Sequence, residues 1–419
     1  MDSQVLLLSI TALVFILITW FTYRMYKQFQ VSTYVWGVYT LCSVMSIVYY
    51  FQPMSVFYLY GNVTVWPTIY WLLCMFILMR PIYKFDKSRI VGINYDLAFL
   101  RKIAIFGLII SIYPLMEQIL LIPKLWAAQG GDFSDAVSSL HDENSIDDIM
   151  SGLGRNLLRV NIALYDLSFI LLIVFFMQPK RDRLAIFSLL VILLTRNATS
   201  LLTGHRSSLV EVFLKLALVT IIAIPLLSQA NKKFLLKSLS IVVICFFSAF
   251  AVITVGRVIT HGAKEEDFTL IYFLSRYMGE SLIHFNEKLP LMHDVAGGRL
   301  CFTPIAEIIY NEDLTSKAFW GWLEQKQHVP QNIFYTVIGN FVQDFGFIAT
   351  LIISIIVSSL MNGLIKVKNG IVSVSTLYIF VLYATILLNG ITSWMYAGVH
   401  FKFLLFGIFV YFILKAKKI

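Results

Sequence analysis

About eleven apolar runs, each long enough to cross a bilayer, constrain the fold of this chain more than any other feature of its sequence. A transmembrane helix needs about 20 consecutive, mostly apolar residues. Of the 419 residues, 58% are hydrophobic and only 14% are charged, which is too little charge to cover a soluble protein of this length. We therefore predict an all-α integral membrane protein, with residues 1–419 forming one polytopic domain. The predicted spans are 4–22, 32–51, 62–79, 103–123, 160–178, 184–203, 208–229, 238–256, 345–365, 371–389 and 395–414.

Basic residues are concentrated after alternate spans, and this pattern predicts the orientation of the chain. Lys and Arg are enriched in the cytoplasmic loops of membrane proteins. With these spans all the basic patches fall on one side, so that the N-terminus is outside and the C-terminus inside. The same patches account for the formal net charge of +9, and no basic face typical of nucleic-acid binding is visible. The patches are Arg24 and Lys27, Arg80 to Lys102, Lys180 to Arg183, Lys232 to Lys237, Lys366 and Lys368, and Lys415 to Lys418.

Two long polar segments fall on the opposite, extracytoplasmic side of the membrane. The first, 124–159, is acidic and ends with Arg155 and Arg159. The second, 257–344, is the largest hydrophilic region of the chain and is rich in histidine and arginine. The predicted cytoplasmic loops are short and contain few acids. We therefore expect the function to reside on the outer face.

The turn between the sixth and seventh spans combines polar side chains with a residue suited to a tight turn. Arg196 lies inside the sixth span. An arginine at such depth costs roughly 2.5–3.5 kcal/mol on insertion scales and normally faces a polar cavity or a partner. Gly204 permits a sharp turn, after which His205, Arg206 and the N-terminus of the next helix offer donors to an anion. Alternatively, His205 and Arg206 extend to the lipid headgroups.

Three charged residues in the second loop are spaced so that a helix would bring them to one face. Arg276, Glu280 and His284 occupy positions i, i+4 and i+8. Such a face combines an arginine that can clamp a phosphate with two candidate general bases. The alternative is an amphipathic helix at the membrane interface. The same loop contains further candidate substrate-binding residues, namely Arg257, Tyr277, Arg299 and Asn332.

Several acidic residues lie within or next to the spans. Asp344, just before the ninth span, is either a base or an acid that favours the helix dipole. Glu211 and Lys215 are four residues apart in the seventh span, which is typical of a pair that neutralises itself in the membrane. Asp166 and Glu117 are further intramembrane acids, each of which could pair with an arginine. The sequence contains no HExxH and no Walker A pattern, and we predict no cofactor and no metal site.

Three short stretches carry a resemblance to a known family. The first is Leu202-Thr203-Gly204-His205-Arg206-Ser207-Ser208, at the turn between two spans. The second is Arg276-Tyr277-Met278-Gly279, near the start of the large outer loop. The third runs from Asn332 to Thr336 and on to Gln343-Asp344-Phe345-Gly346. These stretches, together with the many spans and large outer loops, resemble the bacterial O-antigen and oligosaccharide repeat-unit polymerases of the Wzy type.

The resemblance implies a fold similar to the metal-independent membrane glycosyltransferases of the GT-C kind, in the bacterial cytoplasmic membrane. It implies that undecaprenyl-diphosphate-linked oligosaccharide repeat units are joined into O-antigen, capsular or related surface polysaccharide. Membrane lipids, a chain-length regulator and a flippase are the implied partners. Candidates for stabilising the diphosphate leaving group are Arg196, Arg206, Arg257, Arg276 and Arg299. Candidates for the base are, in this order, His284, Glu280, Asp344 and His205.

Two other functions remain open from the sequence alone. An O-antigen ligase would share the fold and the outer arginines, but would transfer finished glycan to the lipid A core. A flippase or exporter of lipid-linked oligosaccharide would need a polar passage reachable from both sides of the membrane. The scarcity of acids on the predicted cytoplasmic side favours a polymerase over a transporter.

Overall fold

The computed structural model describes residues 3–53, 55, 62–88, 90–128, 150–202, 206–240, 244, 248, 269–292, 294–314, 317–327, 336–392 and 394–417. Over these residues the chain is almost entirely helical, and six helices are long and apolar enough to cross a membrane. The prediction of an all-α, multi-pass membrane protein is therefore confirmed. The count of about eleven spans and the GT-C-like fold stay predictions.

Among the described residues, helices overlap most of the predicted spans, and three further helices lie within the predicted loop 257–344. The α-helices that we number are α1 (Ser3–Tyr26), α2 (Val31–Tyr50), α3 (Val65–Lys87), α4 (Leu97–Ala128), α5 (Gly152–Met177), α6 (Arg183–Leu202), α7 (Arg206–Ala223), α8 (Leu270–Lys288), α9 (Thr303–Tyr310), α10 (Lys317–Gln327), α11 (Val337–Leu364), α12 (Val374–Asn389) and α13 (Phe401–Ala416). Residues 229–240 are also helical. A short parallel pair joins β1 (Gly92–Asn94) to β2 (Ile371–Ser373), with Ile93 opposite Val372. Most of the predicted span 238–256 lies outside the described residues.

Two helices begin earlier than the hydropathy pattern predicts, because polar residues cap them ahead of the apolar run. The Ser151 hydroxyl accepts a hydrogen bond from the Gly154 N–H at 3.0 Å, so α5 begins at Gly152 rather than near 160. The Thr336 hydroxyl accepts one from the Gly339 N–H at 3.1 Å, so α11 begins at Val337 rather than at 345. Both hydroxyls satisfy a backbone donor that a helix N-terminus leaves open.

The chain divides into two compact units. The first unit comprises Met1–Arg89, Asp267–Val367 and Leu382–Val410. At its centre Phe15, Trp36, Tyr39 and Trp71 are buried against one another, with the Tyr39 and Trp71 ring centroids 4.9 Å apart. Aromatic side chains of this size dominate the packing of a core. Helices α1, α2 and α3 are thereby held together as the support for α8, which packs on α2.

The second unit comprises Ile90–Glu266, Lys368–Val381 and Tyr411–Ile419. Within it α4, α5 and α6 pack against one another. The Asn161 amide is fully buried where they meet and donates to the Ser111 hydroxyl at 2.6 Å and to the Ile192 carbonyl at 3.2 Å. Hydrogen bonds of this kind link helices in a membrane, where apolar burial alone gives little attraction between them.

Candidate functional site

Helix α8 (Leu270–Lys288) presents a polar face that is buried, which is uncommon for charged residues. The Thr269 hydroxyl caps its first turn by accepting from the Tyr272 N–H at 3.1 Å. Towards its C-terminus Glu280, His284, Glu287 and Lys288 are all at most 3% exposed. Acidic and basic side chains are almost never fully buried unless they are paired. The contacts of this face therefore decide what the helix can do.

Four side chains on this face form one connected array, which we call the α8 relay: Arg276, Glu280, His284 and Glu287. The Arg276 Nε donates to Glu280 Oε2 at 3.2 Å. The other carboxylate oxygen of Glu280 lies 3.1 Å from His284 Nε2, and Glu287 Oε2 lies 3.4 Å from His284 Nδ1. The predicted grouping of Arg276, Glu280 and His284 on one helical face is thus confirmed. This polar face is directed into the protein. An amphipathic helix at the membrane interface, the alternative from the sequence, would not need a buried polar face.

Access to the α8 relay is restricted to one end. The Arg276 side chain is 31% exposed, whereas the side chains of Glu280 and His284 are 4% and 0% exposed. A second bond, from Arg276 Nη1 to the Tyr272 hydroxyl at 3.0 Å, holds the guanidinium in place. An arginine held in this way presents its donors with less loss of side-chain entropy when an anion binds. Arg276 is therefore the member of the relay that a solute can reach.

The charges of α8 perturb one another strongly. Burial by itself would raise the pKa of Glu280, but the hydrogen bond from His284 and the charge of Arg276 hold it below its ordinary value. The pKa of Arg276 is raised because the nearby Glu280 carboxylate outweighs the effect of burial. Burial lowers the pKa of Lys288 to about 8, against the opposing carboxylates of Glu287, Glu280 and Glu324. Glu280 is therefore a carboxylate at neutral pH, so that the relay keeps Arg276 paired.

The position of α8 depends on a close approach to α2. A Cβ atom on Gly279 would lie 2.5 Å from the backbone of Met45 and Ser46, so only glycine fits there. The Ser46 hydroxyl also donates to the Gly279 carbonyl at 2.8 Å. In the last turn of α8, the Asn286 side chain donates to the Thr68 hydroxyl at 2.8 Å and accepts from the Thr64 N–H at 2.6 Å. These contacts hold the helix, and with it Arg276, against α2 and α3.

Asp344 organises the turn at Gly298–Cys301 through backbone hydrogen bonds. Its buried carboxylate accepts from the N–H groups of Gly298 at 2.9 Å, Leu300 at 3.3 Å and Cys301 at 2.8 Å. The kink of α11 follows directly, because Gly346 has a φ of 77°. Both carboxylate oxygens are thus engaged in holding the loop. Asp344 stands inside α11 instead of before it, and its contacts are those of a structural anchor.

Arg299 is engaged within the same loop. Its guanidinium forms two hydrogen bonds with the Glu312 carboxylate, at 3.0 and 3.4 Å, and lies 3.6 Å from the centre of the Tyr310 ring. The bidentate geometry and the aromatic ring together fix the orientation of the guanidinium. Beneath it, Ala296, Leu300, Ala306, Leu314, Phe319 and Leu323 form a small apolar core. Residues 294–314 and 317–327 are therefore folded, and the Arg299 side chain links two parts of this segment through Glu312 and Tyr310.

The second unit contains a separate buried charge cluster inside its predicted membrane spans. Lys215, only 1% exposed, forms ion pairs with both Asp166 and Glu211. Its amino group also lies 4.8 Å from the centre of the Tyr165 ring. The pairing of Glu211 with Lys215 agrees with the sequence prediction. Asp166, which could have paired with an arginine, forms an ion pair in this cluster with a lysine of another predicted span.

The remaining predicted site residues are distributed as follows. Arg196 is half-buried in α6, and Tyr277 is half-buried in α8 beside the relay. Glu117, in α4, accepts from the Ser151 N–H at 2.6 Å. Outside the described residues lie His205, Arg257, Asn332 and the side chain of Arg206.

Sequence reasoning missed Glu287, although its i+3 spacing from His284 was a signal for a further member of the same face. No group of His, Cys, Asp and Glu within the described ranges has the arrangement of a metal site.

Comparison with known proteins supplies no relative from which a function could be transferred. The chain matches no family model, no curated protein and no solved structure.

Proposed function

We propose that this chain is a membrane glycosyltransferase that joins undecaprenyl-diphosphate-linked oligosaccharide repeat units into O-antigen, capsular or related surface polysaccharide. The observation that carries the proposal is the Arg276 side chain, which is 31% exposed and is held by the buried Glu280 and His284 in the predicted outer loop. The resemblance in the sequence supplies the substrate class, and the arginine supplies the chemistry that such a substrate requires. The outer face of the bacterial cytoplasmic membrane is the proposed location.

The proposed reaction is a displacement at the anomeric carbon of the donor chain. A hydroxyl of the acceptor repeat unit forms the new glycosidic bond, while the bond between the donor sugar and its diphosphate breaks. The undecaprenyl diphosphate leaves with the bonding electrons, and the hydroxyl proton passes to a base. Negative charge therefore grows on the diphosphate, where a fixed guanidinium stabilises the transition state.

We assign the buried members of the α8 relay a positioning role. A general base must lie within hydrogen-bonding distance of the hydroxyl that it deprotonates. His284 is fully buried between two carboxylates, and Glu280 is engaged with both Arg276 and His284. In our proposal both therefore orient Arg276, and Asp344 holds the loop. Of the four candidate bases this leaves His205, which lies outside the described residues.

The test has two parts that separate binding from chemistry. The first measures binding of undecaprenyl diphosphate to the purified protein in detergent with EDTA, comparing wild type with Arg276→Ala and Arg276→Lys. The second incubates the same proteins with a panel of undecaprenyl-diphosphate-linked repeat units and follows product ladders on gels. We expect wild type to form a ladder with at least one repeat unit and Arg276→Ala to bind at least about tenfold more weakly, as loss of a charged hydrogen bond implies.

Lys326→Ala is the matched control, because Lys326 lies in the same predicted loop with its side chain 48% exposed and forms, with the described residue Asp294, a long ion pair of 3.7 Å. It should bind and polymerise as wild type does. Equal binding by folded Arg276→Ala and wild type would remove Arg276 from the site. The absence of a ladder with every repeat unit, from wild-type protein that binds undecaprenyl diphosphate, would favour a ligase.

A transporter of lipid-linked oligosaccharide is the second candidate, and the Lys215 cluster favours it. Charged residues within membrane spans commonly mark a transport or proton pathway. Lys215→Met should abolish movement of a fluorescent lipid-linked oligosaccharide across proteoliposomes if this candidate is correct. A folded Lys215→Met variant that still forms the polymer ladder would leave the cluster with a structural role and support the polymerase.

A further inference from the structure

A groove of about 550 Å³ lies between α1 and α3 in the first unit, far along the chain from the α8 relay. Its walls are apolar over most of their length and include Leu17, Phe21 and Phe76. At one end it is lined by Tyr26, Tyr83 and Lys87. The groove therefore has the polarity of an amphiphile, with an apolar section leading to a polar, positively charged end.

The geometry of the two helices sets the length of this groove. From Leu17 to Tyr26 along α1 the rise is about 14 Å, and from Phe76 to Lys87 along α3 it is about 16 Å, at about 1.5 Å per residue. The apolar and polar sections thus lie in the same order along both helices. Leu17 is 52% exposed and Phe76 45% exposed, so these side chains are open to an occupant.

At the polar end the two tyrosines and the acid are already engaged, whereas the basic side chains are exposed. The Tyr83 hydroxyl accepts from Trp36 Nε1 at 2.6 Å, and the Tyr26 hydroxyl donates to the Tyr83 carbonyl at 3.2 Å. Asp86, the neighbouring acid, is buried and accepts from the Ser32 N–H at 2.9 Å. Lys87 is exposed, and Arg24 and Lys27 are exposed at the end of α1. The charge available to a ligand at this end is therefore positive.

We propose that the groove binds an anionic phospholipid, with one acyl chain against Leu17, Phe21 and Phe76 and the phosphate at Lys87. The positive-inside pattern predicts that this end of α1 and α3 faces the cytoplasm, where the leaflet is negatively charged and attracts basic residues beside a span. The apolar wall contacts the acyl chain of the bound lipid, and Lys87 favours a negatively charged headgroup. The proposal is independent of the polymerase function.

The experiment measures how many lipids remain on the full-length protein in native mass spectrometry after titration with phosphatidylglycerol or phosphatidylcholine of identical acyl chains. The variants are Lys87→Gln, which removes the headgroup contact, and Leu17→Trp, which fills the groove from an exposed position. Lys84→Gln is the matched control, because Lys84 is exposed one turn earlier on α3, donates to the Asn362 carbonyl at 2.8 Å and does not line the groove.

We expect wild type to retain phosphatidylglycerol in preference to phosphatidylcholine. Lys87→Gln should lower that preference about fivefold, in line with the contribution of one lysine near an anionic surface, and Lys84→Gln less than about twofold. Leu17→Trp should reduce the retention of both lipids. Equal retention of the two lipids by wild type, equal losses in Lys87→Gln and Lys84→Gln, or undiminished retention by Leu17→Trp would each overturn the proposal.

Discussion

His284 Nε2 lies 3.1 Å from Glu280 Oε1, and neither side chain reaches the surface. The second ring nitrogen of His284 faces Glu287, so a doubly protonated ring donates to both carboxylates, whereas a neutral ring donates to one. Because Glu280 also accepts from Arg276, a change anywhere in the α8 relay alters the support of its exposed end. Buried networks of this kind respond as a unit.

Replacing Glu280 tests this coupling. Glu280→Ala removes the acceptor for both Arg276 Nε and His284 Nε2, so the unfolding free energy should fall by about 1–3 kcal/mol. Binding of undecaprenyl diphosphate should weaken as well, since Arg276 loses its support. Glu312→Ala is the control, because it breaks an ion pair whose carboxylate is 49% exposed, and it should cost less than about 1 kcal/mol. Chemical denaturation and lipid-binding titrations provide both readouts, and equal behaviour of the two variants would contradict the relay.

Because Gly279 lies so close to α2, we predict that two glycine substitutions differ strongly in their effect on stability. Gly279→Ala would place a Cβ atom 2.5 Å from the backbone of Met45 and Ser46, and overpacking of this kind costs about 1–3 kcal/mol. Gly321→Ala, in α10, meets no atom within 4 Å and should be neutral or stabilise the helix by about 0.5–1 kcal/mol. Thermal unfolding in detergent, followed by circular dichroism, measures both. A stable Gly279→Ala protein would mean that α8 and α2 are less closely packed than described.

The hydrogen bonds of Asp344 predict that its role lies in stability. Asp344→Ala leaves the N–H groups of Gly298, Leu300 and Cys301 without their acceptor, at about 1–3 kcal/mol for each buried group that stays unsatisfied. Asp344→Asn should be milder, because its side-chain carbonyl still accepts. Polymer yield per folded molecule in Asp344→Asn should stay within about fivefold of wild type, well short of the 10²–10⁴-fold effect of losing a general base. A larger loss in a protein of unchanged thermal stability would restore Asp344 as the base.

Because Lys288 is buried, we predict that the unfolding free energy rises with pH in the alkaline range. Its pKa is about 8 in the folded protein and 10.5 ordinarily, because burial disfavours the charged form more than the neighbouring carboxylates favour it. Between these two values the unfolded chain binds a proton that the folded chain does not, so the unfolding free energy increases from about pH 8 to about pH 10.5. Thermal midpoints measured over this range should rise more in wild type than in Lys288→Met. The exposed Lys326→Met should behave as wild type, and parallel curves for all three proteins would contradict the prediction.

The positions of the apolar helices follow from local sequence. A run of apolar residues has to lie in a bilayer or a core, and its backbone bonds are then satisfied most simply as a helix. The spacing of Arg276, Glu280 and His284 is equally local, since residues four apart on a helix are neighbours. The sequence by itself therefore determined the membrane class and the membership of three of the four relay residues.

Tertiary structure decided what surrounds those residues. Burial of the α8 relay depends on Gly279 meeting α2, which is more than two hundred residues away in the chain. Asp344 can hold the turn at Gly298–Cys301 only because that turn packs against it. Lys215 links two helices only because its partner Asp166 lies on another helix. Hydropathy and helical spacing describe one segment at a time. Which charged group is paired, buried or exposed depends on the neighbour that packing brings to it.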